Sequence, residues 1–230
     1  MFDKEKYDAV LWDLDDTLYS RIAAAHQVYV PMFQENLYPE HDTAFCQKAA
    51  DTMITLIFPD SMIQQESFDA LMAIYPPDIP YVRKACVEYY YDHMYQYAVP
   101  DEDAMGCVKA LRRLGIKNAI LTNCDVKRSD SQWRKIRKIG IAPYMDEILL
   151  TGEFGIHKPD KAPYLELAKR LGVRPERCLF VGDSASTDIP GARNAGMDAV
   201  WLNVWGLENT FDPSHVTAVR RLPEYFGAIL

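Results

Sequence analysis

Long apolar runs are absent from this chain of 230 residues. No stretch is long and apolar enough to span a bilayer. The amino-terminal sequence MFDKE is charged and lacks the apolar centre of a secretion signal. These absences favour a protein that resides in the cytoplasm and has no membrane partner.

Positive charge is also scarce, with 25 lysine and arginine residues against 33 aspartate and glutamate residues and a formal net charge of −8. Broad binding to nucleic acid or to anionic lipid relies on surplus lysine and arginine, so we expect neither partner. A small phosphorylated metabolite remains compatible with this composition, because a local cluster of donors or a metal ion can outweigh an acidic average.

Closely spaced cysteine pairs are missing as well. The five cysteines are odd in number and widely separated, and no CxxC pair indicates zinc or redox chemistry. This usage favours a reducing compartment. The remaining composition, 49% apolar and 25% charged, excludes pervasive disorder. The length fits one large α/β domain that carries an insertion, or a medium domain with a small one.

Five short apolar runs have the pattern of buried parallel strands. They cover residues 7–12, 118–122, 147–151, 178–181 and 199–203. The first run ends abruptly in the polar sequence DLDDT, which begins at Asp13. Carboxylates are therefore expected to gather at the carboxyl end of a strand.

Helix-like stretches alternate with the later runs, and several of them are closed by glycine. They cover residues 103–114, 131–139, 163–171 and 189–195. This alternation predicts an α/β fold with a Rossmann-like parallel sheet covered by helices. In such sheets ligands bind beyond the carboxyl ends of the strands.

Residues 20–100 break this alternation with mostly helical patterns, punctuated at Pro31, Pro39, Pro59 and residues 76–80. We interpret this segment as an inserted helical subdomain, which leaves residues 1–19 and 101–230 for the core. Its tyrosine-rich stretch, residues 81–97, predicts an amphipathic helix whose rings pack against neighbouring helices. The alternative, that these tyrosines line a face over a ligand, stays open.

Asp13 and Asp15 stand two positions apart where the chain leaves the first strand, so both side chains can point to the same side. Cleavage of a phosphate ester uses such a pair: one carboxylate attacks phosphorus, and the other protonates the leaving oxygen and later activates water. Two unit charges of like sign about 4 Å apart repel by about 4 kcal/mol at an effective dielectric of 20. A Mg²⁺ ion held by carboxylates, with Lys158 as a second source, would supply the positive charge that is needed.

Two later segments add candidate groups. Asp183 and Asp188 follow the fourth run in the sequence GDSASTD; Asp183 is the better metal ligand, and Asp188 either binds the ion through water or orients Lys158. Thr122 and Asn123 follow the second run and offer a hydroxyl and backbone N–H groups to a phosphate oxygen. For His157, beside the lysine segment, we expect a structural role, with contact to the substrate as the alternative. For Cys124 we expect a packing role near the site.

The four segments, in this order, resemble the four motifs of the haloacid dehalogenase-like hydrolases. DLDDT resembles the nucleophile motif, LTN the second motif, HKPD the lysine motif and GDSASTD the acidic metal motif. The resemblance implies that Asp13 becomes phosphorylated and that Asp15 is the acid and base. It also implies that Mg²⁺ is bound by Asp13, by Asp183 and by the backbone carbonyl of Asp15.

The insertion resembles the helical cap of the family's first subclass, which closes over small substrates and sets selectivity. The leading hypothesis is a phosphatase of a small phosphomonoester, such as a nucleoside monophosphate or a sugar phosphate. Asp15 argues against a dehalogenase, because halide departure needs no protonation. A phosphomutase of the β-phosphoglucomutase type and a non-catalytic binding protein are the alternatives, and the sequence specifies neither the substrate nor the oligomeric state.

Overall fold

The computed structural model describes residues 1–57 and 64–230, which divide into two compact units. The core unit consists of Met1–Ser20 and Pro100–Leu230, and the helical unit consists of Arg21–Val99. Each unit is built from different elements.

The helical unit contains the helices α1 Arg21–Asn36, α2 Thr43–Ile57, α3 Gln64–Ile74 and α4 Arg83–His93. A short 3₁₀ helix, Met94–Tyr97, continues α4. The buried ring of Tyr90 stacks on the buried ring of Tyr29, with centroids 5.3 Å apart. For Tyr90, which belongs to the stretch of residues 81–97, the predicted packing role is confirmed.

Pro31 corrects one sequence prediction, because it lies inside α1 rather than at a break. A proline inside a helix removes one hydrogen bond and costs about 3 kcal/mol. The buried residues on either side, Tyr29 and Met32, show what outweighs that cost: this stretch of α1 packs into the interior of the unit. Pro39 and residues 76–80 do separate helices, whereas Pro59 lies outside the described residues.

The core unit is built on a parallel sheet, and within the described residues its strand order is β3-β2-β1-β4-β5-β6. The strands are β1 Ala9–Trp12, β2 Lys117–Thr122, β3 Glu147–Leu150, β4 Cys178–Gly182, β5 Asp198–Leu202 and β6 Val216–Val219. The Rossmann-like α/β class and the first five strands are confirmed. Strand β6 was missed because it is a short edge strand in which Thr217 is exposed, so it lacks the apolar run of a buried strand.

The helices of the core unit are α5 Glu102–Arg113, α6 Ser129–Lys138, α7 Thr151–Phe154, α8 Ala162–Leu171, α9 Asp188–Asn194 and α10 Pro223–Phe226. All four predicted helices are present within one or two residues. Asp101 caps α5 by accepting a hydrogen bond from Ala104 N at 2.8 Å. Gly172 ends α8 with φ of 66°, a left-handed conformation that glycine adopts without strain.

Both faces of the sheet are covered, which explains why its strands read as uninterrupted apolar runs. On one face Leu11 and Phe180 pack in a buried cluster with Tyr164 of α8. On the other face Trp12 contacts Phe226 of α10, with ring centroids 5.6 Å apart. The sheet is thus packed on both sides.

All five cysteines are free thiols. Among the residues that the structure describes, no helix combines the length and the apolar character that crossing a membrane would require.

Candidate active site

Polar side chains collect at the carboxyl ends of adjacent strands of the core sheet. Asp13 follows β1, Thr122 is the last residue of β2, and Asp183 follows β4. The Asp13 amide donates a hydrogen bond to the carbonyl of Val181 at 2.8 Å, which extends the strand pairing by one residue. The backbone of Asp13 is therefore fixed by the sheet rather than by a loose loop.

Three carboxylates meet at this edge. One oxygen from each of Asp13, Asp183 and Asp188 lies within 4.8 Å of the others. Oxygens bound to one Mg²⁺ at about 2.1 Å lie at most about 4.2 Å apart, so the observed spacing is close to that of a single ion. Carboxylate oxygens are also the type of ligand atom that Mg²⁺ prefers, so these three residues fit a small divalent cation.

Lys158 is the positive charge that faces two of these carboxylates. Its Nζ donates to Asp13 Oδ1 at 2.5 Å, to Asp188 Oδ1 at 2.7 Å and to the carbonyl of Leu121 at 3.1 Å. Burial alone would lower the pKa of the Lys158 ammonium, but the charges of Asp13 and Asp188 outweigh it and raise that pKa above its ordinary value. The lysine is therefore charged although it is buried.

Asp13 is buried and has more negative than positive neighbours. Burial raises the pKa of its carboxyl to about 7; Lys158 opposes this shift, whereas Asp188 and Asp15 add to it. A further positive charge beside Asp13 would favour its ionised form. The spacing of the three carboxylates offers a place for that charge.

Asn123 holds the backbone of the lysine segment. Its Oδ1 accepts a hydrogen bond from Lys158 N at 2.9 Å, and its Nδ2 donates to Lys158 O at 3.1 Å. The side-chain amide is therefore engaged with the protein itself. The prediction that Asn123 offers its backbone N–H to a phosphate oxygen is separate from these side-chain contacts.

Gly182 allows Asp188 to approach β4 closely. A Cβ atom at this position would lie 2.2 Å from Asp188 Oδ2. The same oxygen accepts a hydrogen bond from Ser184 N at 3.1 Å, so its position is fixed. The glycine of the GDSASTD segment is thus required by the packing of the segment's last aspartate.

Asp15 is surrounded by donors that the sequence prediction missed. Lys135 Nζ donates to its Oδ1 at 2.7 Å, and the Tyr19 hydroxyl donates to the same oxygen. Gln132 Nε2 donates to its Oδ2 at 2.9 Å. A signal for two of these residues was present in the sequence, because positions 132, 135, 136 and 139 have the spacing of one helix face and two of them are polar. The first three positions lie in α6, and Ile139 follows it.

Thr122 is linked to Asp15 through Gln132. Its buried hydroxyl oxygen accepts a hydrogen bond from Gln132 Nε2 at 3.1 Å. A hydroxyl that accepts from an amide keeps its own hydrogen for donation. Thr122 can therefore donate to an anion.

His157 and Cys124 contact the same interior hydroxyl. Thr151 Oγ1 accepts a hydrogen bond from Cys124 N at 3.2 Å and lies 2.8 Å from His157 Nδ1. Burial raises the pKa of the Cys124 thiol, which keeps it protonated and a weak nucleophile. These contacts support the structural roles expected for both residues.

The sequence and fold of this chain are similar to those of known phosphatases and hydrolases. Residues 7–196 match the pattern of the family described as haloacid dehalogenase-like hydrolase. A glyceraldehyde 3-phosphate phosphatase of Methanopyrus kandleri is 30% identical over 195 residues, which make up 84% of this chain and 82% of the relative. A phosphoserine phosphatase of Thermus thermophilus is 39% identical over 92 residues, which make up 40% of this chain and 36% of the relative.

Among solved structures, the HAD-hydrolase YfnB of Bacillus subtilis, which was crystallised with bound magnesium, has a similar fold. The TM-score is 0.76 at 20% identity, and the match covers 97% of this chain and 99% of that one. At this identity the likeness bears on the fold alone. The family match spans most of the chain, and the chain therefore belongs to the haloacid dehalogenase-like hydrolases, as an enzyme of the phosphatase type.

Proposed function

We propose that this protein is a Mg²⁺-dependent phosphatase of small phosphomonoesters that works through a phospho-aspartate at Asp13. The observation that carries the proposal is the burial of Asp13 at a sheet edge between the ammonium of Lys158 and the carboxylates of Asp183 and Asp188. A lone buried carboxylate pair would be costly. A site with one lysine and room for one hard cation instead suits an incoming phosphate dianion.

The metal-binding residues in this proposal are Asp13 and Asp183 through their side chains and Asp15 through its backbone carbonyl. When bound, Mg²⁺ would supply the positive charge that lets a carboxylate approach a phosphate dianion. Asp188 has the orienting role, because its Oδ1 accepts a hydrogen bond from Lys158 Nζ.

The first chemical step transfers the phosphoryl group to Asp13. A carboxylate oxygen of Asp13 attacks phosphorus, the bond from phosphorus to the ester oxygen breaks, and its electron pair stays on the leaving oxygen. Asp15 gives a proton to that oxygen. The Thr122 hydroxyl and the Lys158 ammonium donate hydrogen bonds to the phosphoryl oxygens, and the ammonium also balances part of their negative charge.

The second step returns Asp13 to its starting state. A water molecule attacks phosphorus of the phospho-aspartate while Asp15, now a carboxylate, takes one proton from that water. The bond from phosphorus to the Asp13 oxygen breaks, and inorganic phosphate leaves. Asp15 ends the cycle protonated, ready for the next ester.

The substrate class in this proposal is a small phosphorylated metabolite. The relatives named above act on a three-carbon aldehyde phosphate and on phosphoserine, which are both small monoesters. A panel should therefore contain glyceraldehyde 3-phosphate, phosphoserine, nucleoside monophosphates, sugar phosphates and phosphoglycolate. We assign the choice among them to the helical unit Arg21–Val99, which is inserted directly after the first motif.

Phosphate release with and without Mg²⁺ tests the proposed function. Wild-type protein with Mg²⁺ should hydrolyse an aryl phosphate, and Asp13→Asn should abolish turnover because the amide is a poor nucleophile. Asp8→Asn is the matched control, since Asp8 is an exposed aspartate just before β1 at the other end of the same strand. Undiminished turnover in Asp13→Asn would refute the nucleophile assignment.

A further inference from the structure

Three buried polar residues outside the four motifs converge on Asp15. They are Tyr19, Gln132 and Lys135, which we name the Asp15 clamp, and each is at most 6% exposed. Gln132 and Lys135 lie one turn apart on α6, and Tyr19 follows Asp15 by four residues. The phosphatase chemistry proposed above gives none of them a role.

The clamp holds both carboxylate oxygens of Asp15. Lys135 Nζ is 2.7 Å from Oδ1, which also accepts from the Tyr19 hydroxyl, and Gln132 Nε2 is 2.9 Å from Oδ2. The Lys135 ammonium also lies 5.7 Å from the centre of the Tyr19 ring, within cation–π range. Donors on both oxygens restrict rotation of the carboxylate about its side-chain bonds.

Stability alone is a weak reason for polar residues at these positions. A buried ion pair is often no more stabilising than apolar side chains of similar volume. The buried face of α6 that contains Gln132 and Lys135 also contains Ile136, and the buried Ile139 follows the helix. Leucine or methionine would suit such a face, so the polar pair points to a role at Asp15.

Gln132 also connects Asp15 with the end of β2. Its Nε2 lies 2.9 Å from Asp15 Oδ2, 3.1 Å from the Thr122 hydroxyl and 3.1 Å from the carbonyl of Asn123. The carbonyl of Asn123 can only accept, so the amide must present its NH₂ group to this side. Gln132 therefore fixes the distance between Asp15 and the hydroxyl that is proposed to hold the phosphoryl group.

We propose that Tyr19, Gln132 and Lys135 are positioning residues that hold the Asp15 carboxylate in the orientation from which it exchanges a proton with the leaving oxygen and with water. This inference rests on the proposed function. Proton transfer by a positioned side chain contributes about 10²- to 10⁴-fold to a rate, and small misplacements forfeit a large part of such a contribution. Loss of the clamp should therefore slow reactions that need the proton and spare those that do not.

The discriminating experiment compares two aryl phosphates of similar shape. Phenolate is a poor leaving group that benefits from protonation, whereas 4-nitrophenolate departs without it. In Lys135→Met and Gln132→Leu, kcat/KM for phenyl phosphate should fall at least about tenfold further than kcat/KM for 4-nitrophenyl phosphate. Tyr19→Phe removes only the hydroxyl and should show a smaller difference of the same sign.

Two variants of α6 complete the kinetic design. Lys135→Arg keeps a charged donor and should recover most of the phenyl phosphate activity that Lys135→Met loses. Lys138→Met changes an exposed lysine on the same helix and should behave as wild type with both esters. An equal loss with both esters, or no loss, in Lys135→Met and Gln132→Leu would overturn the proposal.

The unfolding midpoint in urea tests the clamp without reference to activity. Lys135→Met, Asp15→Asn and the double variant form a double-mutant cycle. The shift in the double variant should be smaller than the sum of the shifts in the two single variants, because each single substitution already removes the same contact. Additive shifts would refute the clamp. Wild-type protein that releases no phosphate from the panel would instead refute the proposed function, and the cycle would still decide whether the clamp exists.

Discussion

At the residue scale, Lys158 accounts for the burial of two carboxylates at one sheet edge. Its ammonium faces Asp13 and Asp188, and its backbone is held by Asn123. The burial of Lys158, Asp13 and Asp188 depends on the presence of all three, because removing one partner of a buried ion pair leaves an uncompensated charge. The lysine thus serves both the fold and the chemistry that we propose.

Lys158→Met should therefore lower both stability and activity. We expect the free energy of unfolding to fall by about 3–5 kcal/mol, because Asp13 and Asp188 lose their counter-charge. We expect kcat to fall by about 10²-fold or more, because a preorganised positive group is lost. Urea unfolding and phosphate release measure the two effects, with Lys161→Met, an exposed lysine nearby, as control. A fully stable Lys158→Met protein would contradict the assigned charge balance.

Gly182→Ala tests the close approach of Asp188 to β4. The added Cβ would lie 2.2 Å from Asp188 Oδ2, so the aspartate must move and its bond to Lys158 should weaken. Overpacking of this kind costs about 1–3 kcal/mol. In Gly227→Ala, by contrast, the new Cβ meets nothing within 4 Å. Thermal unfolding of both variants is the measurement; equal midpoints would show that the site tolerates a displaced Asp188.

At the scale of the elements, the start of β5 is tied to its neighbours through Asp198. Its carboxylate accepts hydrogen bonds from Tyr7 at 2.9 Å and from Arg193 at 3.3 Å. It also lies 2.9 Å from a ring nitrogen of His215 and forms an ion pair with Lys6 at 2.6 Å. Burial alone would raise the pKa of Asp198, but hydrogen bonds from Lys6, His215 and Tyr7 hold it below its ordinary value. The charge of Asp198 therefore joins the amino-terminal residues to β5 and to the segment before β6.

A lowered pKa in the folded state gives stability a defined dependence on pH. The contribution of Asp198 is present above the ordinary carboxyl pKa of about 3.9 and is lost as the pH falls through the lower, folded value. Asp198→Asn should be about 1–2 kcal/mol less stable than wild type at pH 7. Urea unfolding from pH 7 down to pH 3 should show this difference shrinking. A difference that stays constant over this range would contradict the role of the charge.

Local sequence patterns were sufficient to predict some of the strands and helices but not others. Apolar runs identified β1 to β5, because strands covered on both faces need continuous apolar sequence. Strand β6 and the continuation of α1 through Pro31 depend on contacts with other elements, which a local pattern does not contain. The same holds for Lys135, whose partner Asp15 is 120 residues away.

At the scale of the whole molecule, four distant segments supply one site because parallel strands bring their carboxyl ends to one edge. This is why motif order alone could predict that Asp13, Thr122, Lys158 and Asp183 lie close together. The contact of the clamp residues with Asp15 could not be predicted, since no motif marks it and only the fold shows what faces these residues. In the chain order, Arg21–Val99 lies between the first motif and the other three.

Cation binding should stabilise the whole protein, because a ligand that binds only the folded state raises the free energy of unfolding. At a Mg²⁺ concentration 100 times its dissociation constant the gain is about 2.7 kcal/mol. For a chain of this size that raises the unfolding midpoint by roughly 5–10 °C. Asp183→Asn should lose most of this shift and Asp8→Asn should keep it. An unchanged Mg²⁺ shift in Asp183→Asn would remove Asp183 from the metal site.

The phospho-aspartate at Asp13 is tested most directly by acid quenching of the enzyme during turnover, followed by mass analysis of its peptides. We predict that the peptide containing Asp13 gains the mass of one phosphoryl group, only when Mg²⁺ and a phosphomonoester are both present and never in Asp13→Asn. Phosphate release by an enzyme whose Asp13 peptide never carries that mass, or transfer of the group to another residue, would contradict the account.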